Sequence, residues 1–104
     1  MKIAYVYGSD WPSQGPASSF CTFTCHGLAS KSNDEVYLFA QKNTNKKVNE
    51  VLLNYYFLEP LNNLKIKLID NSLGIGRVTE FYLRTFNQLR KLAKKDELDV
   101  VITR

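Results

Sequence analysis

The chain opens with Lys2-Ile3-Ala4-Tyr5-Val6-Tyr7, apolar almost without alternation and bounded by Gly8. A short unbroken apolar run predicts a strand covered on both faces, as in a parallel sheet. Residues 8–16 (GSDWPSQGP) crowd two glycines and two prolines among Ser, Asp and Gln, which predicts a loop. Ser18 or Ser19 then offers a cap for a helix reaching about Ser32, its face marked by Phe20, Phe23 or Thr24, Gly27, Leu28 and Lys31. Thr and Gly make this helix weak by propensity. Residues 35–40 (EVYLFA) read as a second buried strand, and 42–47 (KNTNKK) as an exposed loop. Val48, Val51, Leu52 and Tyr55 fall at i, i+3, i+4, i+7 and define a second helix, stopped by Pro60. Residues 64–69 (LKIKLI) alternate apolar with basic before turning apolar, which suits a strand near a sheet edge. After a glycine-containing loop at 71–77 (NSLGIGR), a long amphipathic helix is predicted over about 78–95, with Val78, Tyr82, Phe86, Leu89 and Ala93 as its inner face. Residues 98–102 (LDVVI) form the last predicted strand and lead into Thr103 and Arg104. Tyr55, Tyr56, Phe57, Phe81, Tyr82 and Phe86 are assigned to the core.

Strictly alternating strands and helices imply an α/β fold, with a parallel sheet and right-handed crossover helices. The expected architecture is a single Rossmann-like three-layer domain over residues 1–104, its four strands in the order 3-2-1-4 with three crossover helices. That order makes the first and fourth strands neighbours, and ligands of open α/β sheets bind where the strand order reverses, outside the carboxyl ends of the strands. The 8–16 loop and Thr103-Arg104 are therefore expected to line a crevice. A last strand with nothing following to cover its far face leads to the expectation that the chain is the N-terminal part of a longer protein, and that alone it associates or is weakly stable.

Composition narrows the class. Apolar residues make up 44% and charged residues 23% of the 104, which excludes a wholly disordered, collagenous or coiled-coil chain. No apolar run approaches the roughly 20 residues of a membrane-spanning helix. Two cysteines make no disulfide framework, so a cytosolic chain is expected. The net charge of +4 permits an anionic partner without requiring one, and no aromatic-basic motif points to RNA, so no nucleic acid is expected.

The opening Lys2-Ile3-Ala4-Tyr5-Val6, the loop with Gly15-Pro16-Ala17, the helix, the strand Glu35-Val36-Tyr37-Leu38-Phe39-Ala40 and the final Leu98-Asp99-Val100-Val101-Ile102-Thr103-Arg104 together resemble the N-terminal domain of family-four, GT-B-fold glycosyltransferases, over essentially all 104 residues. The resemblance implies transfer of a sugar from a nucleotide-sugar donor to a sugar or lipid acceptor, without a bound metal or other cofactor, in a cleft between two Rossmann-like halves. It also implies that the N-terminal half mainly binds acceptor, and that this half is inactive alone. The family's first loop often carries two adjacent glycines near the donor phosphate; here Gly15 matches, and Pro16 or Ala17 stands at the second position. Glu50 and Glu59 lie nine apart in the wrong half to be the family's donor-binding pair of glutamates.

Asp10, Trp11, Gly15, Pro16, Arg77, Thr103 and Arg104 are the candidate ligand-binding residues, with no catalytic residue assigned. Gly15 precedes a helix whose first N–H groups can meet an anion, although a tight strand-to-helix turn explains it equally. Gly8 and Gly15 are seven apart, so the dinucleotide fingerprint G-x-G-x-x-G is absent. Asp10 and Trp11 suit a sugar through a hydrogen bond and stacking. Leu73-Gly74-Ile75-Gly76-Arg77 is a second anion cradle or an ordinary connection. Cys21, Cys25 and His26 look like metal ligands, but adjacent residues diverge by about 100° around a helix and a structural zinc wants four ligands, so small buried cysteines are expected. Arg84, Arg90, Lys91, Lys94 and Lys95 make a basic stripe, read either as a solvated face or as contact with an anionic membrane surface. A small stand-alone module binding a phosphorylated ligand or a protein partner is the alternative to the transferase reading.

Overall fold

A computed structural model of the chain describes residues 2–32, 34–70, 76–95 and 98–103, without the side chain of Arg77. The elements are β1 (Lys2–Trp11), α1 (Pro16–Lys31), β2 (Glu35–Lys42), α2 (Val48–Asn54), β3 (Leu64–Ile69), α3 (Arg77–Lys94) and β4 (Val100–Thr103). The strands form one parallel sheet in the order β3-β2-β1-β4, as the alternation predicts. Successive side chains of a strand point to opposite faces, and the two cores divide accordingly. Tyr5, Tyr7, Val36, Leu38, Ala40 and Leu64 pack with Cys21, Cys25 and Ala29 of α1 and Val51 and Leu52 of α2. Ala4, Val6, Tyr37, Phe39 and Ile69 pack with Phe81 and Leu89 of α3 on the opposite face. The result is a three-layer, Rossmann-like α/β domain.

Several boundaries differ from the sequence expectation. The first strand does not stop at Gly8; a register irregularity after Val6 lets pairing resume at Asp10–Gln41 and Trp11–Lys42. Gln41 Nε2 donates to the Gly8 carbonyl at 2.8 Å and bridges the irregular stretch. Helix α1 starts at Pro16, not after Ser18 or Ser19. Proline has no N–H to leave unpaired and its φ is already helical, so it suits the first position, and Ser18 is free to turn inward. The last strand begins at Val100, later than expected.

The inner faces of two helices are corrected. On α1 the buried residues are Ser18, Cys21, Thr22, Cys25 and Ala29, while Phe20 and Phe23 are about half exposed. Small side chains let α1 sit close to a sheet that already presents Tyr5, Tyr7 and Trp11 on that face, where more aromatic rings would overfill the space. On α3 the buried residues are Glu80, Phe81, Thr85 and Leu89, whereas Val78, Tyr82 and Phe86 stand out of the core and Ala93 is exposed. A 3.6-residue period fits both stripes and Leu89 lies on each, so the pattern alone does not choose between them. Of six aromatics assigned to the core, only Tyr56 and Phe81 are buried. Strand β4 is exposed throughout, with Val100, Val101 and Ile102 each more than a third open, because among the described residues no helix covers either of its faces.

Trp11 is completely buried at the carboxyl end of β1. Its Nε1 donates to Thr22 Oγ1 at 2.8 Å, Thr22 Oγ1 donates to the Ser18 carbonyl at 2.8 Å, and the indole stacks on Tyr56 with ring centroids 5.5 Å apart. Truncating a buried aromatic of this size costs about 3–5 kcal/mol. Trp11→Ala is expected to lower the unfolding free energy by that amount in urea titrations. Trp11→Phe, which keeps a ring but removes the Nε1 donor, is expected to lose about half as much.

Candidate functional site

Strands β1 and β4 are neighbours: the chain steps from β1 outward to β2 and β3 on one side and then crosses to β4 on the other, so the strand order reverses between them. The segment joining β1 to α1 crosses the carboxyl edge beside this reversal and is tied down from several directions. The Trp11 carbonyl accepts from Asn43 N at 3.1 Å, and the Pro12 carbonyl accepts from Asn43 Nδ2 at 2.9 Å. Ser13 N donates to Ser18 Oγ at 3.4 Å, and Ser18 Oγ hydrogen-bonds the Tyr56 hydroxyl. Burial pushes the Tyr56 hydroxyl above its ordinary pKa, against the opposing pull of its hydrogen bonds to Ser18 and Thr22. The phenol therefore stays protonated, available as a donor to Ser18. Beyond these anchors Gly15 and Pro16 are exposed, and no side chain caps the first N–H groups of α1.

Four of the sequence candidates belong to this edge. Asp10 sits partly exposed near the end of β1, Gly15 and Pro16 form the turn into α1, and Thr103 ends β4 on the same side of the sheet. Arg77 begins α3, which also starts at the carboxyl edge. Trp11 is not part of an open surface: its indole is core, and a ring buried on all sides has no face to offer a sugar. Arg104 and residues 73–75 of the second glycine loop lie outside the described residues. Gly76 caps α3 with φ at +100°, a conformation that favours glycine.

Sequence reading missed Glu80. Its side chain is fully buried in the first turns of α3, and its Oε2 accepts from Arg84 Nε at 3.1 Å. The only signal was an i, i+4 Glu–Arg spacing, which ordinarily marks a solvated pair. Arg84 is thus engaged inward and differs from Arg90, Lys91 and Lys94, which are exposed. Next to it, Tyr82 closes on Gly8: a Cβ at Gly8 would stand 2.7 Å from the Tyr82 hydroxyl, so the absent side chain lets α3 approach the irregular stretch of β1. Further along the edge, Lys42 pairs with Asp70 at 3.7 Å across the ends of β2 and β3, beside a polar hollow of about 290 Å³ that Asn43, Thr44 and Asn45 complete.

Cys21, Cys25 and His26 do not form a centre. Both cysteines are completely buried and unpaired, and Cys21 Sγ lies 3.6 Å from the Tyr5 hydroxyl. His26 turns away and its Nε2 bonds the Glu59 carbonyl at 2.8 Å. Among the described residues no group of three or more His, Cys, Asp or Glu is placed to hold a metal ion. Nor, among them, is any helix long and apolar enough to cross a membrane. Comparison of the chain with protein-family models, curated proteins and solved structures finds no match in any of the three.

Burial, and then the neighbouring Cys21, push the Cys25 thiol up from 9.0 to about 12. The unfolded chain releases this proton near pH 9 while the folded chain holds it, so folding stability falls as pH rises through the window between the two values. The slope from this group is at most about 1.4 kcal/mol per pH unit. Urea unfolding between pH 8 and 10.5 is expected to show that decline, and Cys25→Ala to make it shallower. In the native state Cys25 is expected to react with a thiol reagent at pH 8 only as fast as the chain unfolds.

Proposed function

We propose that this chain is the acceptor-side domain of a GT-B-type glycosyltransferase. In that reading it contributes one wall of a cleft in which a nucleotide-sugar donor, held by a second Rossmann-like half, meets a sugar or lipid acceptor. The observation that carries the reading is the strand order β3-β2-β1-β4, with the anchored turn from Trp11 to Pro16 and Thr103 both at the carboxyl edge where that order reverses. Gly15 and Pro16 face the acceptor in this arrangement, Asp10 and Thr103 supply hydrogen-bonding groups at its margin, and Arg77 and Arg104 are the cations for phosphate. The chemistry itself belongs to the two halves together, so the isolated chain is inactive. The cell compartment of the reading is the cytoplasm, with peripheral contact to an anionic membrane surface through Arg90, Lys91, Lys94 and Lys95. Arg84 drops out of that contact because it pairs with Glu80.

Gly15 offers a test that separates function from folding. Its backbone is extended, with φ at −71°, and a Cβ there would meet only Ser13 Oγ at 3.9 Å. Gly15→Thr, which caps a helix about as well as glycine, is therefore expected to leave the unfolding midpoint unchanged while raising the acceptor KM of the intact protein about tenfold, a change of about 1.4 kcal/mol. An immunoblot of the endogenous protein is expected to give a band near 40 kDa, roughly two domains of ordinary size and their linker. The intact protein is expected to transfer sugar from, or hydrolyse, a nucleotide-sugar. An endogenous protein of 12.0 kDa that turns over no nucleotide-sugar ends this reading.

A further inference from the structure

Four lysines gather in one groove away from the carboxyl edge. Between the outer strand β3 and the second half of α3 runs a groove of about 280 Å³, with Lys65 and Lys67 on one side and Lys91 and Lys95 on the other. Tyr37 and Phe39 of β2 form its floor, and Leu92 and Gln88 complete the α3 wall. The register explains the placement: Tyr37 pairs with Lys65 and Phe39 with Lys67, so both lysines project from the sheet face that α3 covers. Helix α3 runs back from the carboxyl edge, which brings its last turns, and with them Lys91 and Lys95, over the amino-terminal half of β2 and β3.

Among the described residues, only Lys65 of the four lysines meets a carboxylate. Lys65 Nζ is 3.6 Å from Glu35 Oε1 and lies 5.5 Å from the centre of the Tyr37 ring. Lys67, Lys91 and Lys95 have no carboxylate partner among the described residues. Cations near a helix C-terminus are favoured by the helix dipole, and lysines on an outer strand discourage pairing with another sheet. Each rule accounts for one wall of the groove. Neither accounts for two walls of cations turned toward each other over an aromatic floor, since like charges gathered in one groove repel.

We infer that this groove is an anion site, and that its ligand carries a phosphate or pyrophosphate group bound by Lys67, Lys91 and Lys95. Gln88 supplies an amide donor on the same wall, and the small apolar portion of the ligand rests against Tyr37, Phe39 and Leu92. A volume near the lower end of the roughly 300–1,000 Å³ of small-molecule sites fits a compact phosphate ester or a single lipid headgroup. The site stands apart from the carboxyl edge and does not depend on the glycosyltransferase reading.

The test uses inorganic pyrophosphate as the soluble probe and, in a second arm, phosphatidylcholine vesicles with and without phosphatidic acid. Binding is followed by amide chemical shifts and by calorimetry on the full chain. The expected result is saturable binding of one equivalent in at least one arm, with shifts at Lys67 and Lys91 and affinity that falls with added salt. Lys67→Ala/Lys91→Ala is expected to weaken it at least tenfold. Lys46→Ala/Lys47→Ala, which removes the same charge from exposed positions outside the groove, is expected to change it less than twofold. Retention of the circular dichroism melting curve in both variants confirms that folding is unaltered. Groove-dependent binding of free pyrophosphate assigns a soluble ligand; groove-dependent binding of phosphatidic acid vesicles alone assigns a lipid headgroup. Equal losses in the two variants, or no saturable binding in either arm, overturns the inference and leaves the lysines as edge protection.

Discussion

The indole of Trp11 is where the end of β1, the first turns of α1 and the segment after α2 meet. It lies without solvent exposure between Thr22, to which it donates a hydrogen bond, and Tyr56, on which it stacks. A buried indole N–H without a partner would cost about 1–3 kcal/mol, so the position of Thr22 is as much a condition of the arrangement as the ring's apolar area. Thr22 accepts from Trp11 and donates to the Ser18 carbonyl, and Ser18 in turn meets the Tyr56 hydroxyl. The chain of bonds closes on itself, with each buried polar atom in it satisfied. From this knot the turn leading to Gly15 inherits its fixed path, since the residues on both sides of it are anchored. A tryptophan in a loop rich in Gly, Pro and Ser invites a ligand-stacking role; here its ring is spent on holding that loop to the domain.

The same packing explains how the two helical layers differ. Helix α1 meets the sheet with Ser18, Cys21, Thr22, Cys25 and Ala29, because the sheet supplies the large rings on that side. The buried cysteines are small apolar fillers at a close contact, and the raised thiol pKa of Cys25 follows from the dry site it occupies. Helix α3 faces a sheet surface whose small residues, Ala4 and Val6, lie on β1, and it sends Phe81 inward to fill it. Glu80 beside it is also buried, a placement that requires a charge partner, and Arg84 one turn later meets that requirement.

Strand number, order and direction were legible because unbroken apolar runs with helical periods between them admit few topologies. Helix phase was not. For α1 the aromatic residues Phe20 and Phe23 carry most of the hydrophobic signal, yet fit between helix and sheet decides burial, and that depends on Tyr5, Tyr7 and Trp11 from elsewhere in the chain. For α3 two stripes of similar apolar content share Leu89, and the chosen one contains a glutamate, which any pattern based on hydrophobicity rejects. That Gly15, Pro16, Asp10 and Thr103 lie at the carboxyl edge was legible from the strand order. Trp11 was misassigned because residue type says nothing of which way a side chain turns. Glu80 and the four-lysine groove were invisible because each joins residues whose meeting is set by register and helix phase together.

The two edges of the sheet are built on different rules, and the difference bears on what the domain does. Strand β3 closes one edge with Lys65 and Lys67, charges that oppose addition of a further strand. Strand β4 leaves the other edge with Val100, Val101 and Ile102, uncharged and open on both faces, and the neighbouring face of α3 adds Tyr82 and Phe86 to the exposed apolar surface. Apolar area of this extent beside an unguarded edge is costly in water and favours contact with another surface. Strand β4 also borders the reversal of strand order, and Thr103 ends it at the same carboxyl edge from which the turn to Gly15 starts. Helix α3 spans both regions, with Glu80 and Arg84 paired in its first turns near the carboxyl edge and Lys91 and Lys95 over the groove beside β3.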